Sequence, residues 1–155
     1  MTTTAAVPQI TVASWPGCPP RLLRQEIESA AAYLADDGYR ALPDAEAFLA
    51  EVDRSGLLGR GGAAFPLAVK LRSVRERALR GLDTVVVANG EEGEPASIKD
   101  RWLLRNRPHL VLDGLRLAAH TVAATRAYVY VSDPASARSV EDALTQLGPE
   151  TLGGL

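Results

Sequence analysis

The order of elements in the middle of the chain restricts its fold more than any other feature. "DTVVVAN" (83–89) is a β-branched run of the kind buried in parallel sheets, and "RAYVYVS" (126–132) is a second strand. Between them come the loop "GEEGEPASIKD" and a helical stretch over 101–124, interrupted around Pro108. Strand, loop, long helix and strand form the βαβ pattern of a parallel sheet. The expected fold class is therefore α/β, a parallel-sheet layer with flanking helices.

The remaining elements are placed by caps and periodicity. "PRLLRQEIESAAAYLADDG" (20–38) reads as one helix, with Leu22, Leu23, Ile27, Ala30, Ala31 and Leu34 at helical spacing and Gly38 to end it. A second helix starts after Asp44, a fair N-cap, and carries Ala47, Phe48 and Val52 on one face. Pro66 can open a third, because proline is tolerated in a helix's first turn. Residues 133–148 read as a closing helix with Pro134 in its first turn. Residues 1–20, broken by four prolines, read as a loose lead-in, and "ETLGGL" as a frayed end. In domain terms, 1–40 is lead-in plus helix, and 41–155 is the α/β unit.

Length and composition set outer limits. With 155 residues the chain is long enough for one compact domain. A net charge of -2 gives no electrostatic reason to expect nucleic acid as a partner. No apolar run approaches a membrane span of about 18 residues, and the N-terminus lacks the basic start and apolar core of a secretory signal. A cytoplasmic setting without direct membrane insertion is expected. The single cysteine, Cys18, in the proline-stiffened turn "WPGCPP", excludes an internal disulfide and any multi-cysteine site built by this chain alone. His109 and His120 read as helix residues without metal-ligand spacing, so no metal site is expected.

Two loops carry the candidate chemistry. "GRGGAA" (59–64) matches a permissive dinucleotide fingerprint, but a helix stands before it where that motif requires a strand, and no P-loop Gly-Lys-Ser/Thr follows. Gly61 and Gly62 nevertheless remove side chains where a flat ligand or phosphate could lie on the backbone. The helix opened by Pro66 offers free amide N–H groups, and Arg60 and Lys70 add positive charge. A glycine-rich turn between two helices with solvated basic residues explains the same stretch. The acidic loop puts Asn89, Glu91, Glu92 and Glu94 at the carboxyl end of a strand, where ligands collect in open α/β sheets. A hydrated acidic turn is the plain alternative. Lys99, Asp100 and Arg101 are expected to form a local charge network holding this loop to the next helix.

Taken together, the two loops resemble the flavoprotein subunit of NADH:quinone oxidoreductase (respiratory complex I) and its relatives in NAD-linked hydrogenases and formate dehydrogenases. The family signature SGLRGRGGAGFPTGLKW stands here as "SGLLGRGGAAFPLAVKL" (55–71), and NADEGEPGTFKDR as "NGEEGEPASIKDR" (89–101). The likeness covers roughly residues 40–131, the N-terminal part of the family pattern. It implies an oxidoreductase cradle for FMN, which takes hydride from NADH and passes electrons to iron–sulfur partners. By position, Gly59, Arg60, Gly61, Gly62 and Ala63 would line the flavin and dinucleotide, and Phe65 would stack on the NADH rings. Lys70 would face FMN; Asn89, Glu91 and Glu92 would bind flavin polar groups; Glu94 would stand beside the nicotinamide as the catalytic group. Hydride transfer needs rings stacked within about 3–3.5 Å, which glycine backbone and one aromatic face permit.

The departures are local. Ala64 and Ala96 stand where the family has glycine, Leu67–Ala68 replace Thr-Gly, Gly90–Glu91 replace Ala-Asp, and Leu71 and Ile98 replace aromatics. The family's second flavin loop, ubiquitin-like domain and four-cysteine cluster domain have no counterpart here, so the chain supplies no cluster ligands. Two readings follow. The chain is an NADH-oxidising module completed by further segments or an iron–sulfur subunit, held at the cytoplasmic membrane face only through partners. The alternative is a non-catalytic remnant acting as an interaction module.

Overall fold

A computed structural model describes residues 16–17, 22–24, 26–59, 63–94, 96–148 and 151. The elements in chain order are α1 (Ala30–Ala35), α2 (Ala45–Arg54), α3 (Leu67–Leu79), β1 (Val85–Asn89), α4 (Lys99–Asn106), α5 (Pro108–Thr121), β2 (Arg126–Tyr130) and α6 (Pro134–Thr145). Most of the lead-in, Cys18 and most of the C-terminal end lie outside the described residues.

β1 and β2 pair in parallel, Val85 opposite Arg126 through Asn89 opposite Tyr130, with α4 and α5 in the crossover. The α/β expectation holds. The helices begin where short polar or cyclic side chains dictate. Asp44 accepts from the Ala47 amide at 2.9 Å to start α2, and Asp133 accepts from the Ser136 amide at 2.8 Å to start α6. Pro108 divides the crossover, because its ring cannot continue a helix from the N-terminal side. Leu104, Leu112, Val140 and Ala143 form the buried core between α4, α5 and α6. Val129 and Val131 pack onto it from the β2 segment.

Two expectations change. The strands are not buried on both faces. Alternate residues are half-buried, while Val85, Val87, Tyr128 and Tyr130 are 45–59% exposed on the opposite face. All described helices that touch the sheet cover one side only, so the β-branched run has one open face. The helix over 20–38 is the second change: among the described residues it shortens to α1. Glu28 is drawn to α5 instead, accepting from Arg107 Nε at 2.5 Å and from the Leu110 amide at 3.0 Å, while Arg107 also donates to the Leu22 carbonyl. These long-range bonds hold the chain extended up to Ser29, whose hydroxyl accepts from the Ala32 amide. Ile27, expected on the apolar stripe, is 73% exposed.

Gly38 does close α1. Its amide donates to the Tyr33 carbonyl at 2.9 Å and that of Asp37 to Leu34, the paired bonds of a Schellman motif, with Asp37 at φ +65°. A methyl group on Gly38 would fall 2.2 Å from the Tyr33 ring. The ring is held there because the Tyr33 hydroxyl donates to Asp113 at 2.9 Å. Asp113 also accepts from the Tyr39 amide and from Arg116. Residues 22–24 and 26–40 are thus fastened to α5 by a polar cluster rather than by an apolar stripe. His109 sits within it, fully buried, with Nδ1 3.1 Å from the Tyr39 hydroxyl. Burial pushes its imidazole pKa down, favouring the neutral ring.

Candidate functional site

The acidic loop leaves β1 at Asn89 and enters α4 at Lys99. Its first step is set by backbone: the Gly90 amide donates to the Tyr130 carbonyl at 2.8 Å, extending the strand ladder by one residue. A Cβ at Gly90 would meet Leu104 at 2.4 Å and Val131 at 3.0 Å, so the loop passes directly over the core. Asn89 Oδ1 accepts from the Glu91 amide at 3.1 Å, an Asx turn that reverses the chain. Glu91 is exposed and accepts a hydrogen bond from the Ser132 hydroxyl, tying the loop to the end of β2.

Glu92 differs from its neighbours. Its side chain is 2% exposed. Oε1 accepts from Ser97 Oγ at 2.5 Å and from the Asp100 amide at 3.1 Å. Oε2 accepts from the Arg101 amide at 3.3 Å and from Arg101 Nε at 3.2 Å. Lys99 Nζ stands 3.9 Å away. Ile98, at the N-cap position of α4, has no side chain able to cap, and Glu92 supplies the missing acceptor for two free amides from outside the helix. Burial by itself would raise the Glu92 carboxyl; the donors outweigh it and hold the pKa down at about 2. The expected network of Lys99, Asp100 and Arg101 is present, with Glu92 at its centre. Glu94 contrasts with it: the residue is exposed, and its carboxylate makes no hydrogen bond or ion pair among the described residues.

The glycine loop is built differently. Two backbone bonds close its base, from the Gly59 amide to the Phe65 carbonyl and from the Leu67 amide to the Leu57 carbonyl, both 2.9 Å. Arg60, Gly61 and Gly62 lie outside the described residues. Ala63 is exposed, and Phe65 is 54% exposed on the rim where α3 begins. Ala64 adopts φ +46°, the left-handed region that disfavours a Cβ. Glycine fits that backbone, and this chain carries alanine there. Lys70, on the first turns of α3, is exposed, and its ammonium is unpaired among the described residues. Ala96, the other alanine at a family glycine, is exposed and has no such strain.

A cavity of about 100 Å³ opens beside the acidic loop, lined by Asn89, Gly90, Asp100 and Leu104 among others. It is far smaller than the roughly 300 Å³ at which small-molecule pockets begin, and has room for an edge of a ligand but not for a whole tricycle. Two larger cavities lie elsewhere. One of about 360 Å³ runs under β2 between α5 and α6 and is mostly aliphatic. The other, about 640 Å³, includes Arg75, Arg116 and His120. Its cationic groups are engaged, Arg75 by Glu46 and the Thr121 carbonyl, Arg116 by Asp113 and the Arg40 carbonyl. Neither carries free polar groups converging on one point, and the acidic loop remains the chemically equipped site. Among the described residues no group of three histidine, cysteine or acidic side chains could hold a metal.

As a donor and acceptor set these residues fit a flavin nucleotide: the exposed carboxylates of Glu91 and Glu94 and the Asn89 amide for hydroxyl and ring N–H donors, the exposed Lys70 ammonium for a phosphate, and the exposed Phe65 ring for stacking. Sequence reasoning missed the cap made by Glu92 and the Arg105–Asp133 pair, 2.6 and 2.9 Å, which holds α4 to the start of α6. Ile98 just before an otherwise uncapped helix was the one available signal for the first.

Comparison with known proteins agrees with the signatures. Residues 52–151 match the family model described as the Nuo51 FMN-binding domain. An NADH-quinone oxidoreductase subunit of Aquifex aeolicus (strain VF5) is 33% identical over 147 residues, covering 86% of this chain and 34% of that protein. The mitochondrial NADH dehydrogenase (ubiquinone) flavoprotein 1 of Dictyostelium discoideum is 39% identical over 83 residues, 54% of this chain and 17% of its own length. Among solved structures, an NAD+-reducing NiFe hydrogenase in the H2-reduced state superposes with a TM-score of 0.57 at 35% identity, over 69% of this chain and 19% of that one. The chain thus spans about a third or less of the length of these relatives.

Proposed function

From the premise that this chain belongs to the Nuo51 FMN-binding domain family, we propose that it forms part of an NADH-oxidising site. It would supply the glycine loop and the first acidic loop of an FMN cradle. The observation that carries the reading is that the chain holds two chemically complementary sets of exposed groups. The exposed carboxylates of Glu91 and Glu94 stand after the carboxyl end of β1, and a rim of exposed Phe65 and Lys70 stands at the start of α3. FMN, when bound, supplies hydride acceptance from NADH and release of single electrons.

The chain's own residues do the rest. Glu91 and Asn89 accept hydrogen bonds from flavin hydroxyl and N–H groups, and Lys70 neutralises phosphate charge. Phe65 stacks on the dinucleotide and excludes water from one face. Glu94, unpaired within the described residues, stands beside the nicotinamide and is the candidate catalytic group. Gly59, Arg60, Gly61, Gly62 and Ala63 give backbone N–H groups and one cation to the pyrophosphate and flavin edge. The electrons leave to an iron–sulfur subunit or to further segments of the same assembly. No described helix is long and apolar enough to cross a membrane, which suits a peripheral module on the cytoplasmic face.

The test is reconstitution with FMN of this chain together with the downstream region found in its relatives. Flavin absorbance that bleaches on NADH addition is expected; colourless protein overturns the reading. One observation favours the second reading, an interaction module without turnover: the open sheet face bearing Val85, Val87, Tyr128 and Tyr130. That reading expects self-association without bound flavin in analytical ultracentrifugation.

A further inference from the structure

We infer that Glu92 is a positioning residue and not a flavin ligand: it clamps the acidic loop onto the first turn of α4 and leaves Glu91 and Glu94 as the carboxylates that face a ligand. The inference rests on the proposed flavin site and refines it. A carboxylate has about four acceptor positions. Those of Glu92 are filled by Ser97 Oγ, two main-chain amides of α4 and Arg101 Nε. With the side chain 2% exposed, a flavin hydroxyl has neither an open lone pair nor a path to it.

The clamp has a structural reason. Gly93 and Glu94 follow at once, and the loop's other bonds include the Gly90 amide to the Tyr130 carbonyl, the Asx turn at Asn89, the Glu91–Ser132 contact, the Ser97 amide to the Glu94 carbonyl and Arg101 Nη2 to the Ser97 carbonyl. Among the described residues, only Glu92 links the loop's middle to α4 through side-chain charge. Its loss would free the Asp100 and Arg101 amides, remove the partner of Arg101 Nε, and let residues 91–94 move relative to α4. The effect on a ligand is indirect, through where Glu91 and Glu94 point.

Hydrogen–deuterium exchange on the full chain without ligand tests the clamp. Glu92→Ala should speed exchange in the segment 97–103 by about tenfold or more, the loss of charge-assisted bonds, with β2 and α6 unchanged. Ser97→Ala, a milder variant for use if Glu92→Ala does not fold, should speed the same segment by a smaller factor. Glu91→Ala and Glu94→Ala should leave it unchanged. FMN titration then separates clamp from ligand. Ser97→Ala should weaken FMN binding in parallel with its exchange effect, and the double variant should be no weaker than Glu92→Ala alone. Unchanged exchange in both variants overturns the inference. So does a loss of FMN affinity in Glu92→Ala with none in Ser97→Ala. If the unsubstituted chain binds no FMN after completion, the functional reading falls, while the exchange result still decides whether Glu92 is the clamp.

Discussion

The acidic loop and the glycine loop, proposed to share one ligand, are stabilised in opposite ways. The acidic loop is fixed by side chains, with one buried carboxylate satisfying four donors and a glycine pressed against the core. The glycine loop, among its described residues, is fixed at its base by two backbone bonds, and above them it holds an alanine at φ +46° and a phenyl ring in solvent. One loop is preorganised without ligand. The other holds a strained backbone at Ala64 and exposed apolar surface at Phe65. On the proposed function, the chain builds the charged side of its site by itself and leaves the stacking side to be completed by what binds.

The sharpest way to break this contrast is to titrate Glu92. Its carboxyl is held at about 2 against an ordinary 4.5, so the folded form favours the ionised group. The stability it contributes is fully present above the ordinary value and is lost as pH falls toward 2. The shift corresponds to about 3 kcal/mol. Denaturant unfolding at about pH 7 should find Glu92→Gln less stable by roughly that amount, and the gap should narrow as pH falls below about 4.5, to roughly half at about pH 3, and close only as the native side chain itself protonates near about pH 2. A gap that persists at low pH contradicts the clamp.

A smaller effect is expected at Gly90. Alanine there would press on Leu104 and Val131, and overpacking of this kind costs about 1–3 kcal/mol. A lower midpoint in urea with an unchanged slope checks it. On the other loop the sign reverses. Ala64→Gly removes a left-handed alanine and should stabilise by about 1 kcal/mol, seen as a higher midpoint. The smallest stability change, within about 0.5 kcal/mol, is expected for Phe65→Ala, because the ring is half exposed. That variant should instead lose NADH affinity in the reconstituted protein. A large loss of stability would mean that the rim is structural.

How much of this was legible in the sequence depended on whether the cause was local. Asp44, Pro66, Pro108 and Asp133 act on their own helices, and each boundary falls where those residues place it. The parallel pairing followed from strand order alone. The helix over 20–38 failed because Glu28 bonds to Arg107 and Leu110, some eighty residues away, and periodicity carries no information about that. The open face of the sheet was equally hidden. A β-branched run marks a strand, but whether anything covers both faces depends on elements elsewhere. At the site, Ala64 stood out only as a departure from a pattern, and its backbone angle supplies the reason that pattern has glycine. Glu92 could not be told from Glu91 and Glu94 by sequence, since three carboxylates in four residues look alike until one is buried.

The central claim is that the glycine loop and the acidic loop bind one ligand between them. An NMR titration of the isotope-labelled protein with FMN tests it most directly by following backbone amides in both segments. Amides over 59–65 and 89–94 should shift together with a single dissociation constant, with little change along β2. Shifts confined to one loop, or centred on the aliphatic cavity between α5, β2 and α6, would contradict it.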